Sequence, residues 1–359
     1  MSVRVLHVLP HRGGGGETYI DYLERMPGVL HERHYLSSGR APIRAAGSIP
    51  AGWPALRGAA RTADLLHTHG DMASIATQSL LRGRPTVITS HGLHFLRRSD
   101  GWRLWLVRRG LRATASAAQA FICCSAAERD ELLPILSEVD HPKLHVIHNG
   151  VDLPDPITES ERNAARQAFE ISPEAFVAVF AGQLESRKAP VVAARAAIGA
   201  GRRGVPMVLL LAGDGRQAGE LAGLAGPIVR PLGHRTDLRP LFAAGDVFLH
   251  PADREGLSFA VLEAMAHGLP VLAADAPGNS EAVGDAGILF PPRDEGAMTN
   301  ALARLSDQPA LREALATRAR ARVEAELGAS RFVERTHALY LAALGRVREP
   351  DRAGGDEPA

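Results

Sequence analysis

The sequence is poor in lysine, cysteine, aromatic residues and net charge. Of 359 residues two are lysine and two are cysteine, aromatic residues make up 5%, and the formal net charge is +1. A charge so close to zero gives no basic field that would attract nucleic acid, so we expect no nucleic-acid partner. Because nearly all of the 41 basic residues are arginine, the two lysines, Lys143 and Lys188, mark positions to examine.

Disulfides and membrane spans are also missing from the pattern. Cys123 and Cys124 are adjacent, which excludes a disulfide framework, is typical of a reducing compartment and offers no spaced ligands for a metal. No stretch approaches the roughly 18 consecutive apolar residues of a membrane span, and the first apolar run is too short for a signal segment. These absences predict a cytoplasmic protein that does not cross a membrane.

Short apolar runs alternate with longer segments of helical period, which predicts an α/β fold with parallel sheets covered by helices. The pattern occurs twice, and residues 149–156, with two prolines, form the best candidate linker. We therefore predict domains at 1–153 and 154–330, a C-terminal helix at 331–345 and a flexible tail at 346–359. The predicted strands are 3–9, 34–37, 64–67, 86–90, 120–123, 144–147, 176–180, 207–212, 227–231, 246–250, 270–273 and 287–290.

The most informative segment follows the predicted strand that ends at residue 250. Ser258 suits the N-cap of a helix, and Gly256 lets the backbone N–H groups around Leu257 approach an anion such as a diphosphate. Glu255 lies beside that site, and Glu263 lies further along the same helix. Carboxylates there suit hydrogen bonds from sugar or ribose hydroxyls; the alternative is that both are surface carboxylates.

Two further segments place polar groups at the carboxyl edges of predicted strands. Lys188 follows a strand and a turn and opens a predicted helix, where its ammonium reaches an anion, unless it is simply solvated. Residues 11–17 hold four consecutive glycines after the first strand, including Gly15 and Gly16. This loop is a weak match to a dinucleotide fingerprint, because Thr18 occupies the third glycine position and no acidic residue ends the second strand.

Further motifs accompany the paired-glutamate segment 250–270: Asn149-Gly-Val-Asp152, Phe180-Ala-Gly-Gln-Leu184, Arg187-Lys188, Leu211-Ala-Gly-Asp-Gly215 and Asp246-Val-Phe-Leu-His-Pro251. Together these motifs resemble the GT-B glycosyltransferases of the retaining family 4 type. The resemblance implies two doubly wound parallel-sheet domains facing across a cleft. It implies a hexosyltransferase whose N-terminal domain binds the acceptor and whose C-terminal domain binds the nucleotide sugar, with the last helix crossing back to the first domain.

The resemblance also implies roles for individual residues. Glu255 would contact donor-sugar hydroxyls and Glu263 the ribose, while Lys188 would hold the diphosphate. The family has an arginine where this chain has Gln183, and Arg187 is the candidate replacement. The donor-binding set is completed by Gly15 and Gly16, placed beside the donor sugar and phosphate, and by Gly256, Leu257 and Ser258.

His91 ends a predicted strand in Thr89-Ser-His-Gly, and a strand end of an α/β sheet is where groups that contact ligands collect. In similar enzymes the matching histidine lies near the reacting sugar, so His91 is a candidate catalytic residue together with Glu255 and Lys188. His67, His69 and His94 are weaker candidates.

The sequence contains no Asp-x-Asp pair, so we expect no metal and no other cofactor. The predicted reaction moves a sugar from a UDP or GDP donor to an acceptor hydroxyl with retention, the acceptor being a small molecule or lipid-linked. Three alternatives stay open: a sugar-nucleotide epimerase on the same architecture, an NAD-dependent oxidoreductase and a catalytically silent GT-B subunit.

Residues 97–112 hold two of the three tryptophans and six arginines. At helical spacing Leu104, Val107 and Leu111 share a core-facing stripe, whereas Trp102 and Trp105 fall on another, basic face. That face suits peripheral contact with an anionic membrane or a lipid-linked acceptor. The alternative is that both tryptophans pack beneath a neighbouring loop.

Overall fold

The computed structural model describes residues 2–37 and 49–348. The chain forms two compact units, the first reaching to His148 and including the chain from Phe332 onward, the second spanning Asn149–Arg331. The division lies a few residues before the predicted boundary at 153. Most of the predicted flexible tail, residues 349–359, lies outside the described residues.

The first unit is built on a six-stranded parallel sheet with strand order β2-β1-β3-β4-β5-β6. Its strands are β1 (Val3–Leu9), β2 (Val29–Tyr35), β3 (Leu65–His69), β4 (Thr86–Thr89), β5 (Ala120–Cys123) and β6 (Leu144–Val146). Its helices are α1 (Gly15–Leu23), α2 (Ile49–Thr62), α3 (Asp71–Ala76), α4 (Gln78–Leu81), α5 (His94–Arg97), α6 (Gly101–Ala117) and α7 (Ala126–Leu132).

The second unit repeats this plan with strand order β12-β11-β10-β7-β8-β9, again all parallel. Its strands are β7 (Phe176–Ala181), β8 (Met207–Ala212), β9 (Val229–Gly233), β10 (Val247–His250), β11 (Val271–Ala274) and β12 (Gly287–Phe290). Its helices are α8 (Glu159–Ala168), α9 (Pro190–Arg202), α10 (Ala218–Ala222), α11 (Arg239–Ala244), α12 (Phe259–Ala266), α13 (Pro277–Val283), α14 (Glu295–Asp307) and α15 (Pro309–Glu326).

A last helix, α16 (Ala329–Arg348), returns the chain to the first unit, which includes it from Phe332. Its aromatic residues pack under the first sheet. The Phe332 ring lies 4.7 Å from the Tyr19 ring of α1, and the Tyr340 hydroxyl lies 2.6 Å from Nδ1 of His67 in β3. Tyr340 is 1% exposed, so this helix supplies part of the first unit's core.

Apolar strands place a dry core on both faces of each sheet. Every residue of β7, β8 and β10 is buried, as expected for parallel strands covered by helices on two sides. The edge strand β2 differs, because its burial alternates between half-buried and exposed. The prediction of a strand at 34–37 is therefore wrong at its start: His31, Glu32 and Arg33 obscured a strand that begins at Val29.

Within the described part of the chain, none of the helices combines the length and the apolar character that crossing a bilayer requires.

Candidate active site

The loop after β10 carries the paired-glutamate segment and is itself buried. Glu255 is 8% exposed, Leu257 4% and Ser258 6%. The side-chain amide of Asn149 donates to the carbonyl of Leu257 at 2.7 Å, which fixes the end of this loop. A buried loop must satisfy its backbone groups internally, so its shape is set by such contacts rather than by solvent.

A second loop, at the start of α13, clamps the first from the other side. Asn279 is fully buried and its amide donates to the carbonyl of Ala252 at 2.8 Å and to that of Ala274 at 3.1 Å. A Cβ on Gly278 would lie 2.0 Å from the carbonyl oxygen of Gly256, so only glycine fits there. Sequence reasoning missed both residues, although Pro277-Gly-Asn after a strand is a turn signal.

Glu255 is the centre of an ionic cluster. Its carboxylate forms an ion pair with the Lys188 ammonium and accepts a hydrogen bond from the Arg187 guanidinium at 3.1 Å. Lys188 is 9% exposed, so it is a buried residue, which excludes the alternative of a freely solvated lysine. The strands β7 and β10 are neighbours, and their carboxyl ends bring the three residues together.

Burial and the charges of the cluster shift the pKa of Glu255 and that of Lys188. Burial by itself would raise the pKa of Glu255, but the charges of Lys188 and Arg187 outweigh it and lower the value to about 2. Burial lowers the pKa of Lys188, and the Glu255 carboxylate partly offsets this. The cluster therefore holds an ionised carboxylate at neutral pH.

Lys188 does not open a helix, contrary to the sequence prediction. It ends a short 3-10 turn, Ser186–Lys188, and helix α9 begins at Pro190 after Ala189 in a left-handed conformation with φ of 49°. Proline favours the first position of a helix and is unfavourable in a helix interior. Because Pro190 occupies the first position of α9, Lys188 lies before the helix. The ammonium thus points from a tight turn, which is held by its ion pair with Glu255.

Gln183 and Arg187 are bonded to each other. Nη2 of Arg187 donates to Oε1 of Gln183 at 2.8 Å. The turn that carries Gln183 packs tightly against the loop after β8, because a Cβ on Gly213 would lie 1.9 Å from the carbonyl oxygen of Gly182. This contact places a guanidinium beside position 183, where the family carries an arginine of its own.

Glu263 lies in α12 and is separate from the ionic cluster. Its side chain is half-buried, and among the described residues its carboxylate makes no hydrogen bond or ion pair. Burial raises the pKa of Glu263 to about 7. An unsatisfied, partly buried carboxyl of this kind is suited to accepting hydrogen bonds from hydroxyl groups of a ligand.

Ser258 and His250 are two further buried residues of the paired-glutamate segment. Ser258 occupies the N-cap of α12, as predicted, but its hydroxyl makes no capping hydrogen bond. His250, which the sequence did not single out, is fully buried, and among the described residues neither of its ring nitrogens has a hydrogen-bond partner. Burial and the nearby Lys188 charge lower the pKa of His250 to about 3, so a neutral ring lies beside the two cations.

In the first unit the glycine loop leads into α1, which begins at Gly15 after Gly14 with φ of 88°. The loop is tied to that helix, because the backbone N–H of Gly13 donates to Glu17 at 2.7 Å. Gly15 and Gly16 therefore form the first turn of α1 and present backbone at the carboxyl edge of β1.

His91 follows β4 and adopts φ of 52°, a left-handed conformation that is strained for a residue with a side chain. The His91 ring packs edge to face against the Tyr19 ring of α1, with the ring centroids 4.8 Å apart. Its Nε2 atom lies 2.9 Å from Nδ1 of His69. The candidate residues of the first unit, His91 and the start of α1, are thus brought to one edge of the sheet.

The sequence matches two family models. Residues 7–154 match Glycosyltransferase Family 4, and residues 175–308 match Glycosyl transferases group 1. The chain is also 30% identical to D-inositol 3-phosphate glycosyltransferase of Actinosynnema mirum over 315 residues, covering 80% of this chain and 73% of the relative. This chain belongs to glycosyltransferase family 4. It is therefore a glycosyltransferase of the hexosyltransferase type.

Solved structures of similar fold support the architecture of this family 4 member. Sucrose-phosphate synthase from Thermosynechococcus elongatus matches with a TM-score of 0.80 at 19% identity, covering 96% of this chain and 100% of the other. HepE of Anabaena, in complex with UDP-glucose, matches with a TM-score of 0.76 at 20% identity, covering 94% and 99%. The predicted GT-B fold class is confirmed, and nothing found supports the oxidoreductase, epimerase or silent-subunit alternatives.

Proposed function

We propose that the chain transfers a sugar from a nucleoside-diphosphate donor to an acceptor hydroxyl, with retention of configuration and without a metal. The observation that carries the proposal is the buried cluster of Lys188, Arg187 and Glu255 at the carboxyl edge of β10. A diphosphate leaving group needs positive charge, and a sugar needs hydrogen-bond acceptors. This cluster supplies both within one hydrogen-bonded group.

Each residue has a distinct task in the proposed reaction. Lys188 and Arg187 neutralise the negative charge that grows on the leaving diphosphate, and Leu257 and Ser258, just before α12, add backbone N–H groups. Glu255, ionised because its pKa is about 2, accepts hydrogen bonds from the donor sugar. Glu263 accepts them from the ribose.

The remaining residues shape the donor site. Gln183 keeps the Arg187 guanidinium in place, and Gly256 lets the loop backbone approach the phosphates. The proposal assigns Gly15 and Gly16 to the donor sugar and phosphate, and His91 to the reacting sugar. Glu255 balances one of the two positive charges, so in this proposal Lys188, Arg187 and the backbone N–H groups together stabilise the diphosphate in place of a metal.

A UDP sugar is the first donor to test, because HepE, a structural neighbour, is described in complex with UDP-glucose. D-inositol 3-phosphate is the first acceptor to test, because relatives at 28% and 30% identity are named for it. The other acceptors in the panel are further small polyols and lipid-linked sugars.

The proposal is tested by a donor screen with mass detection of transferred or hydrolysed sugar. UDP, GDP and ADP sugars are supplied with the acceptor panel in the presence of EDTA. Transfer with the product in the donor's anomeric configuration supports the proposal. Dependence on an added metal, or an inverted product, would contradict it.

Contact of α6 with an anionic membrane is a second proposal, and a specific observation favours it. Trp102 is 69% exposed, Trp105 60% and Leu106 47%, so the tryptophans are not packed beneath a loop. The Arg103 and Arg109 guanidinium groups lie over the Trp102 and Trp105 rings at 5.6 and 5.7 Å. Aromatic rings flanked by arginines suit the interface of a bilayer that contains acidic lipids.

This surface is tested by sedimentation with vesicles of phosphatidylcholine alone or with phosphatidylglycerol. Binding to the acidic vesicles should be lost in Trp102→Ala/Trp105→Ala and unchanged in Val139→Ala. Val139 is a fair control because it is 76% exposed in the same unit but lies outside α6. Equal binding by both variants would contradict the proposal.

A further inference from the structure

Four histidines of the first unit are joined head to tail by hydrogen bonds. Nδ1 of His31 lies 2.8 Å from Nε2 of His7, and Nδ1 of His7 lies 2.8 Å from Nε2 of His69. Nδ1 of His69 lies 2.9 Å from Nε2 of His91. We call His31, His7, His69 and His91 the histidine chain. It ends at the candidate catalytic histidine.

Strand register explains why the rings meet. His31 lies in β2 opposite Val5 of β1, and His7 lies two residues further along β1 opposite His67 of β3. His69 is two residues beyond His67, and His91 follows β4. Residues two apart on a strand point to the same face, so one histidine from each of four adjacent segments lies on one face of the sheet.

Both ring nitrogens of the inner histidines are used, and this restricts their tautomers. A neutral imidazole has one donor nitrogen and one acceptor nitrogen. If His31 donates from Nδ1, then His7, His69 and His91 must all carry their proton on Nδ1. If His31 instead carries it on Nε2, the other three rings must do the same. No mixture of the two tautomers keeps all three hydrogen bonds, so the histidine chain has two tautomeric states.

The four rings of the histidine chain are neutral at physiological pH. Burial lowers the pKa of His7 and His69 well below 6.5, and neighbouring histidines and Arg33 lower it further. Burial lowers the pKa of His31 to about 4, although Glu24 opposes this, and burial and His94 lower that of His91 to about 3. The other titratable groups facing the chain are His67 of β3, Tyr19 of α1 and Cys124 after β5.

A metal site is the competing explanation, because His7, His67 and His69 offer ligand atoms within 4.8 Å of one another. The distances favour hydrogen bonding. Nitrogens at 2.0–2.1 Å from a tetrahedral zinc ion lie about 3.3 Å apart, whereas those of His7 and His69 lie 2.8 Å apart. His67 is also engaged, since its nitrogens lie 2.6 Å from the Tyr340 hydroxyl and 2.7 Å from that of Thr89.

We propose that His69, His7 and His31 are positioning residues that fix the tautomer of His91. In the part of the chain that the structure describes, Nδ1 of His91 contacts Cys124 Sγ at 4.0 Å, a weak partner, so this nitrogen can bond a hydroxyl group of the ligand. Nδ1 donates in one state of the chain and accepts in the other. The functional consequence rests on the proposed placement of His91 beside the donor sugar.

The tautomers are measured directly by nitrogen-15 NMR of the full chain labelled at histidine, at pH 7.5. We expect all four rings of the histidine chain to share one tautomer. His7→Phe should change the tautomer balance of His91, whereas His67→Phe should leave it as in wild type. His67 is a matched control, because its ring centroid lies 4.1 Å from that of His69 and yet it lies outside the chain.

Kinetics supply the second readout. His7→Phe should lower kcat for sugar transfer at least about ten-fold with little change in the donor KM, because a histidine held in the wrong tautomer loses its function. His31→Phe, at the half-buried outer end, replaces His7→Phe if that variant does not fold. The pH profile of kcat should also change in these variants.

Three results would overturn the inference: His69 and His91 in opposite tautomers, equal effects of the His7 and His67 substitutions, or a stoichiometric metal found by elemental analysis. The NMR result does not depend on activity. If wild type transfers no sugar, the proposed function fails while the tautomer test still stands; if it does transfer sugar but the tautomers disagree, the inference alone fails.

Discussion

The carboxylate of Glu255 is ion-paired with the ammonium of Lys188, the candidate phosphate-binding lysine. The arrangement means that a diphosphate competes with Glu255 for the lysine. A buried pair also costs more to break than a surface pair, because removing one partner leaves the other charge uncompensated. Removing the Glu255 carboxylate should therefore strengthen UDP binding, whereas removing the Lys188 ammonium should weaken it.

Glu255→Gln should tighten the binding of UDP while slowing transfer. Removing the competing carboxylate should raise the affinity for UDP about ten-fold, which corresponds to about 1.4 kcal/mol of binding free energy. The kcat for transfer should fall by about 100-fold, because the donor sugar loses a positioning contact. Calorimetry and steady-state kinetics measure the two effects, and parallel losses of affinity and rate would contradict the account.

Arg187→Ala and Gln183→Arg form a paired test of the second cation. Arg187→Ala should weaken UDP binding about ten-fold or more, the value of one charge-assisted hydrogen bond. Gln183→Arg in that background places an arginine at the family position and should restore most of the affinity. The same substitution in the wild-type background sets two guanidinium groups together and should give little gain. Failure of the double variant to recover would show that Arg187 has a different role.

Titration of the Glu263 carboxyl should make nucleotide binding depend on pH. Its pKa of about 7 means that the carboxylate form, which accepts hydrogen bonds from ribose, increases as the pH rises from 6 to 8. Affinity for UDP should therefore increase over that range. Glu263→Gln keeps the shape but cannot ionise, so it serves as the control for titration of the nucleotide itself. An identical pH dependence in this variant would rule out the assignment.

Gly278→Ala should disrupt the loop that carries Glu255. The added methyl group would lie 2.0 Å from the carbonyl oxygen of Gly256, and overpacking of this kind costs about 1–3 kcal/mol of unfolding free energy. The matched control is Gly219→Ala, which meets nothing within 4 Å and should be neutral or slightly stabilising. Denaturant unfolding compares the two, and equal stability would mean that the loops are not clamped together.

The histidines with a lowered pKa should reduce the free energy of unfolding as the pH falls. The unfolded chain binds protons below pH 6.5 that the folded rings do not, so each such histidine removes about 1.4 kcal/mol per pH unit as the pH falls. Carboxyls with raised pKa act in the opposite direction but are fewer. The histidines whose pKa is lowered most are His7, His31, His67, His69, His91 and His250; the carboxyls with a raised pKa are Asp71, Glu128 and Glu263.

The melting temperature should accordingly fall steeply between pH 7 and pH 5. Thermal unfolding in buffers of constant ionic strength measures it. The replacement His250→Asn should make the decline shallower, because it removes one of the titrating groups. A melting temperature that is constant over this range would show that the histidines are protonated in the folded chain.

Sequence reasoning predicted the parallel sheets well because buried strands are continuous apolar runs, as in β7 and β8. It missed the start of β2, where polar residues of an edge strand give no such run. The Glu255 loop could be read from its helix start and its glycine. Its ion pairs could not, because Lys188 lies 67 residues earlier and meets it only through the pairing of β7 with β10.

The histidine chain shows the same limit. His67-Thr-His69 places two histidines on one face of a strand, but the partners His7 and His31 come from separate strands whose register no local pattern specifies. The hydrogen bonds that give His91 its neighbours are therefore properties of the fold. From the sequence alone, His91 stands out by its position at a strand end, and His67 and His69 are weaker candidates.

Calorimetric binding of UDP in the presence of EDTA, to wild type and to Lys188→Ala, tests the central claim most directly. We expect wild type to bind UDP without a metal and the variant to bind it at least about ten-fold more weakly, since the variant lacks one charge-assisted contact. Binding that requires a divalent metal, or that is unchanged by Lys188→Ala, would contradict it.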